Sequence, residues 1–220
     1  MCSLGLVLAR TGLSFDKAWG GWIPYKGYFE RGMCQMVTLR PVEMQDVDTL
    51  YRFRMDEEVM FWASGGFAEA MHTRGQIEEM VKAQTSGDSG RVFVIEAIKN
   101  GEPVVIGQIS FRDYNRINRN VTIGMLIGDR DFWGRGYGTD ALEQFVRMLF
   151  TRYAAHRISM DTFVDNKRAI RCYEKCGFAV EGVRREAMWT MNGHRDQVMM
   201  GLLRADWLKR QEDKPYYLES

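Results

Sequence analysis

Apolar residues recur along this chain with two periods, and each period predicts a kind of element. Val92-Phe93-Val94-Ile95-Glu96-Ala97-Ile98 and Val104-Val105-Ile106-Gly107-Gln108-Ile109-Ser110-Phe111 are β-branched and aromatic runs around Lys99-Asn100-Gly101-Glu102. Asn-Gly between two such runs predicts a hairpin, because a type I′ turn needs φ > 0 at both central residues. Val37-Thr38-Leu39-Arg40-Pro41 alternates like a short edge strand closed by a proline that cannot donate to a ladder. Residues 121–127 and 156–164 read as buried strands, and residues 179–188 and 197–203 as two more, joined through Asn192-Gly193. Helical spacing appears between them. Val47, Leu50, Tyr51 and Arg54 share one face after a start at Gln45-Asp46, and Ile77, Met80 and Val81 point inward over about 74 to 83. Leu142, Phe145, Val146 and Leu149 mark a long helix, and Ala169, Ile170 and Tyr173 mark another, capped by Asp165-Asn166 and stopped by Gly177. Strands and helices therefore mix in one α/β arrangement.

The organising stretch is Trp133-Gly134-Arg135-Gly136-Tyr137-Gly138-Thr139, which joins the strand at 121–127 to the long helix. Glycines there allow φ > 0 and close backbone approach, while the first amide N–H groups of the helix lack internal partners and carry the positive end of its dipole. An anion fits such a place. Two phosphate motifs are absent: there is no GxxxxGK[ST] run, and the glycines do not follow GxGxxG with an acidic residue about 20 positions on.

Composition narrows the picture. A chain of 220 residues with 45% hydrophobic content buries one substantial core. Lys+Arg 30 against Asp+Glu 29 leaves a formal charge of +1, so no global field recruits nucleic acid or an anionic membrane. No run approaches the roughly 20 apolar residues of a membrane span, and Leu4-Gly5-Leu6-Val7-Leu8-Ala9 lacks a preceding basic region, so a cytoplasmic location is expected. Cys2, Cys34, Cys172 and Cys176 are too sparse for a disulfide framework, and His72, His156 and His194 are scattered, so no metal is expected. Cys172 and Cys176, one helical turn apart, read as small packing residues of one helix. Arg112, Arg116 and Arg119 read as a solvated loop, the other reading being a contact with a ligand phosphate or an acidic acceptor. Residues 1–36 are glycine-rich and aromatic without a period. They read either as an extension upstream of a start at Met33 or Met36, or as an arm that docks on a neighbouring copy in a homo-oligomer. Residues 37–206 form the expected domain, and residues 207–220 a charged tail that frays.

The glycine stretch resembles the acetyl-CoA loop, Q/R-x-x-G-x-G/A, of the GNAT family of N-acetyltransferases, with Trp133 at the usual Gln or Arg, as in the RimJ/RimL-type and spermidine-acetyltransferase subgroup. The segment from Asn166 through Ala169 and Tyr173 to Gly177-Phe178 is similar to the same family's N-x-x-A-x-x-x-Y-x-x-x-G-F pattern. The resemblance runs from about residue 37 to about 203. It implies a twisted sheet of about seven strands flanked by about four helices. It implies acetyl-CoA as co-substrate and transfer of the acetyl group to a primary amine, of a protein N-terminus or a small molecule such as a polyamine, by direct attack in a ternary complex. The matching positions imply that main-chain groups of Met125, Leu126 and Ile127 hold the pantetheine and polarise the thioester. Residues Trp133, Gly134, Arg135, Gly136, Tyr137, Gly138 and Thr139 would hold the pyrophosphate, with Asn166 and Ala169 beside the pantetheine.

Acyl transfer to an amine needs a deprotonated acceptor, donors for the carbonyl oxygen and a proton for the departing thiolate. Tyr173 is the expected acid, since a phenol with a reference pKa near 10 stays protonated at pH 7; the plainer reading makes it an aromatic on a buried face. Many relatives carry Glu two residues before Gly124, where this chain has Thr122, which cannot act as a base. Glu57, Glu58 and His72 are the remaining acceptor-side candidates, with water as relay, and the lack of a strong base favours an α-amine over an alkyl amine. Phe61 and Trp62 read as one wall of the acceptor pocket or as core. An acyl-enzyme at Cys172 or Cys176 is disfavoured because no His adjoins either in sequence. A protein that binds CoA without catalysis, as a sensor or assembly module, is the alternative that Thr122 keeps open.

Overall fold

Seven strands form one sheet in the order β1-β2-β3-β4-β5-β7-β6, with neighbours hydrogen-bonded throughout. The structure is a computed structural model that describes residues 35–64, 73–83, 91–190 and 192–212. The strands are β1 (Val37–Pro41), β2 (Arg91–Lys99), β3 (Glu102–Asn115), β4 (Asn120–Ile127), β5 (Arg157–Phe163), β6 (Ala179–Thr190) and β7 (Gly193–Leu203). Helices α1 (Val47–Arg54), α2 (Glu57–Ser64) and α3 (Arg74–Ala83) precede β2; α4 (Tyr137–Thr151) links β4 to β5; α5 (Lys167–Lys175) follows β5; and α6 (Arg204–Glu212) follows β7. The sheet is mixed α/β as expected, with six helices among the described residues where about four were expected.

Alternation along the strands divides the apolar residues between two cores. Phe93, Ile95 and Ala97 of β2 face a core shared with Leu142, Phe145, Val146 and Leu149 of α4 and with Tyr173 and Cys176 of α5. Val94, between them, joins a second core on the opposite face with Val47, Leu50 and Phe53 of α1 and Ile77 and Val81 of α3. The Asn100-Gly101 turn has φ of 56° and 87°, so the hairpin signal in the sequence is a pair of left-handed residues in the structure.

Two expectations about elements need correction. Residues from Trp207 onward do not fray at once: α6 continues to Glu212, because the Trp207 ring packs 5.2 Å from Phe150 and the Arg204 guanidinium donates to the Phe150 carbonyl at 3.1 Å. Arg112 belongs to β3, which runs on to Asn115, and not to the loop beyond that strand. Met60, Phe61 and Trp62 lie within α2, whose start is capped by Asp56, its carboxylate accepting from the Glu58 and Val59 amides at 3.1 Å.

The junction of β4 with β5 shapes the centre of the molecule. β4 pairs with β3 from Asn120 as far as Ile127, and β5 pairs with β7 along all of Arg157–Phe163. Between β4 and β5, however, the parallel register covers only Asn120↔Arg157, Val121↔Ile158 and Thr122↔Ser159. Past Thr122 and Ser159 the two strands part, and a wedge opens in the middle of the sheet.

The far end of β4 is fixed against β3 by close packing. Gly107 pairs with Ile127, and a Cβ at Gly107 would stand 2.3 Å from the Leu126 carbonyl oxygen, a main-chain atom that no rotamer change can move. Gly107→Ala is expected to cost about 1–3 kcal/mol of stability, read as a lower midpoint in urea with an unchanged slope; an unaltered midpoint would show that β4 moves freely against β3.

Candidate active site

The wedge opens into a cleft of about 1080 Å³, floored by Gly124, Met125, Leu126 and Ile127 of β4 and by residues 160–163 of β5. Along β4, the main-chain groups that would face β5 beyond Thr122 have no ladder partner there. They are polar groups turned toward open space, where a ligand can satisfy them.

The glycine stretch forms one end of the cleft. After a 3-10 turn (Arg130–Phe132), Gly134 and Gly136 take left-handed φ of 71° and 95°, and Gly136 is the N-cap of α4. Nothing lies within 4 Å of where a Gly134 Cβ would be, so backbone conformation and not crowding calls for glycine there. The amides of Tyr137, Gly138 and Thr139 occupy the first turn of α4, where no helix carbonyl can accept from them. Asp140, the one acid of that turn, would oppose an anion, but its carboxylate is turned away to accept from the Met36 and Val37 amides at 2.8 and 2.9 Å. Arg135 is exposed, and Tyr137 packs edge-on against Phe132 at 4.8 Å, so neither side chain faces the cleft and each can serve there through its main chain only.

Trp133 ties this end together. Its indole N–H donates to the Ile127 carbonyl at 2.7 Å, and the Arg168 guanidinium lies 3.7 Å above its ring. Arg168, Arg171 and Lys175 follow one another at helical spacing on α5, line the cleft and form no ion pair with any described residue. Burial lowers the Arg168 pKa below its ordinary value, so an anion beside it would relieve a desolvated cation.

Helix α5 is set by its cap. The Asn166 side chain accepts from the Ala169 amide at 3.2 Å and donates to the Thr162 hydroxyl at 3.0 Å, fixing the helix start to β5. Asn166 and Ala169 both line the cleft. The same helix turns Tyr173 into the core, 6% exposed, yet its hydroxyl is not sealed: among the described residues the one enclosed side-chain polar atom lacking a partner is Arg195 Nη1. Burial, reinforced by the charges of Cys172 and Asp161, pushes the Tyr173 phenol far above its ordinary pKa, so it remains a proton donor at any working pH. Cys172 accepts from the Thr139 hydroxyl at 3.5 Å and Cys176 donates to the Thr139 carbonyl at 3.6 Å. Their mutual hydrogen bond and burial hold Cys176 protonated, and the pair joins α5 to the first turn of α4.

On the acceptor side the placement differs from the sequence expectation. Trp62 lines the cleft; Phe61 stands behind it at 5.1 Å, edge-on, and does not. Glu57 and Glu58 do not line the cleft either, because both sit in the exposed first turn of α2, where Glu58 is held by Arg130 at 2.7 Å. His72 lies outside the described residues. Asp161 went unnoticed in the sequence: it stands on β5 just past the parting of the strands, exposed to the cleft, its carboxylate accepting from Gln197 at 2.8 Å. Its one sequence signal is a lone acid in the strand Ile158-Ser159-Met160-Asp161-Thr162-Phe163, twelve residues before Tyr173.

Known proteins share this arrangement. The acetyltransferase (GNAT) domain matches residues 36–179. Spermidine N(1)-acetyltransferase of Vibrio cholerae serotype O1 is 26% identical over 182 residues, covering 82% of this chain and 100% of that protein. An aminoglycoside N(6')-acetyltransferase type 1 of Klebsiella pneumoniae is 30% identical over 158 residues, 66% of this chain and 75% of its own. The crystal structure of spermidine N-acetyltransferase from Vibrio cholerae in complex with CoA and spermine superposes with a TM-score of 0.71 at 24% identity, over 79% of this chain and 98% of that one. The fold is thus shared, and with a domain match over most of its length the chain belongs to the GNAT acetyltransferase family, as an acetyl-CoA-dependent N-acetyltransferase.

Proposed function

We propose that the amine attacks directly within a ternary complex in the wedge, with Asp161 as the base and Tyr173 as the acid. The observation that carries this reading is the parting of β4 and β5 after Thr122 and Ser159, which brings unpaired main-chain donors, a carboxylate and a phenol to one cleft. Bound acetyl-CoA supplies the thioester: the new C–N bond forms as the C–S bond breaks. Main-chain N–H groups among Met125, Leu126 and Ile127 hold the carbonyl oxygen as it gains charge. The amides after Gly136 hold the pyrophosphate, Arg135 and Tyr137 contributing main chain only, and Arg168 on Trp133 closes that end. Asn166 and Ala169 flank the pantetheine.

Proton traffic falls to two side chains. Asp161 accepts the proton that the acceptor ammonium must lose, held in place by the Gln197 amide. Tyr173 gives its phenolic proton to the departing sulfur and is reprotonated from solvent; its raised pKa keeps it protonated until the thiolate forms beside it. Cys172 and Cys176 have neither of the described histidines beside them: His194 stacks on Trp189 at 4.8 Å, and the His156 main chain is tied to Arg119. The acyl-enzyme route therefore has no activating base. Trp133 in the loop supports a reading within the RimJ/RimL-type and spermidine-acetyltransferase subgroup.

Three outcomes are expected. Tyr173→Phe lowers thiol release from acetyl-CoA roughly a hundredfold while calorimetric CoA affinity stays put; undiminished release would remove the phenol from the reaction. Asp161→Asn slows turnover at pH 7 by about tenfold or more and regains much of it as pH rises, since the amine then loses its proton unaided; a loss independent of pH would make Asp161 a binding group only. Asn166→Ala, by removing a cap, costs about 1 kcal/mol of stability and weakens CoA binding, as thermal unfolding with and without CoA would register.

A further inference from the structure

Resting on the acetyl-transfer reading above, we propose that the acceptor of this chain is an amine that also carries a carboxylate, held between Arg112 and Arg184, and that polycationic amines are poor acceptors. Four observations converge on this.

The first concerns Arg112, which stands in cross-strand register with Thr122 of β4. The Arg112 guanidinium lies along β4, its Nη1 3.7 Å from where a Gly124 Cβ would be, and it lines the cleft. Its ion partner is the adjacent Asp113 at 3.6 Å, both side chains more than half exposed, an arrangement that solvent screens heavily. A cation therefore stands on the β3–β4 side of the wedge, facing the cleft.

The second is Arg184, on β6, which lines the same cleft and is exposed to it. It reaches only the Gln197 side-chain oxygen Oε1 at a long 3.5 Å, and no described carboxylate pairs with it. The same Gln197 amide donates to Asp161, so Arg184 and the proposed base share one positioning residue.

The third is the aromatic wall. Trp62 and Phe163 line the cleft, and a stack of aromatic faces is a place for an ammonium group. That place is already taken by the chain's own Arg195, whose guanidinium carbon lies 4.8 Å from the Phe61 centroid, 5.6 Å from Trp62 and 4.5 Å from Phe163. Arg195 is ion-paired with Asp165, and its Nη1 is enclosed without a partner.

The fourth is the charge count. Among the described residues lining the cleft Asp161 is the one carboxylate, and the reaction claims it. A polyamine or aminoglycoside would bring several further positive charges to a site offering them no counter-charge, and like charges there oppose binding. An amine with a carboxylate brings one ammonium for Asp161 and one anion for the two arginines. Arg112 adds a second benefit. A cation near the acceptor lowers its ammonium pKa, which eases the deprotonation that attack requires.

The test pairs each amino acid with its own carboxamide, beside spermidine and an aminoglycoside, and follows thiol release from acetyl-CoA on the full chain. The carboxylate form is expected to exceed its carboxamide in kcat/KM by about tenfold or more, the worth of a charge-assisted hydrogen bond, with spermidine below both. Arg112→Gln and Arg184→Gln should each pull that carboxylate-to-carboxamide ratio toward one, CoA binding by calorimetry showing that the variants fold. A ratio at or below one in the unaltered protein, a preference for spermidine, or a ratio that survives both substitutions would overturn the inference and leave acetyl transfer standing. CoA binding without thiol release from any amine would overturn acetyl transfer itself.

Discussion

Three residue pairs hold the two halves of this sheet together. On one side β1 to β4 form a continuous antiparallel ribbon; on the other β5, β7 and β6 form a second; and only Asn120 to Thr122 against Arg157 to Ser159 join them. The β3–β4 and β5–β7 ladders continue past the junction, so the divergence leaves main-chain groups unmet along the two inner edges. Behind the gap, α4 and α5 supply what the missing ladder cannot, with Phe145 and Tyr173 in one apolar cluster and the Thr139, Cys172 and Cys176 contacts linking the helices. The wedge is thus a stable feature: its walls are fixed by β3 and β7, and its back by packed helices.

Charge is distributed over the cleft with a direction. Cations on α5 and the positive end of α4 gather at the end that the glycine stretch forms, where a diphosphate would bring several negative charges. At the other end Asp161 stands alone among arginines. A carboxylate so placed has few competitors for an incoming ammonium, as the role proposed for it requires. Thr122, which in the sequence looks like a loss of catalytic capacity, is flanked in three dimensions by a carboxylate on β5 and a guanidinium on β3.

Features decided within a few residues were legible from the chain alone. Asn100-Gly101, the left-handed Gly134 and Gly136, and the Asn166 cap each follow from local backbone chemistry, and the structure has them where the sequence placed them. Helix α2 was not, since Met60, Phe61 and Trp62 carry no clear period and the helix is fixed by Asp56 and by packing against the sheet. Nor was Asp161: whether an acid in a strand faces solvent, a partner strand or a cleft depends on where that strand leaves its neighbour, a property of two ladders more than thirty residues apart in sequence. Glu57 and Glu58 misled for the converse reason. Their residue type suited the chemistry, but α2 spends them on its own N-terminus, where acids stabilise the helix dipole and Arg130 can reach.

Tyr173 reads in the sequence as either a core aromatic or a catalytic acid, and its placement is compatible with both roles at once. Its ring packs against Phe178 at 6.4 Å and belongs to the main apolar cluster, so it is held in one orientation by contacts that have nothing to do with catalysis. A buried phenol ordinarily finds a protein acceptor, because leaving that donor unmet costs about 1–3 kcal/mol. Tyr173 has none among the described residues, and its hydroxyl meets the cleft instead. Because it opens on the cleft, that donor is met there by solvent and escapes the cost of a sealed one. It is therefore free to turn to an acceptor that arrives from outside, which is the role proposed for it toward the departing thiolate. Packing fixes the ring, and the cleft leaves the hydroxyl at its other end available.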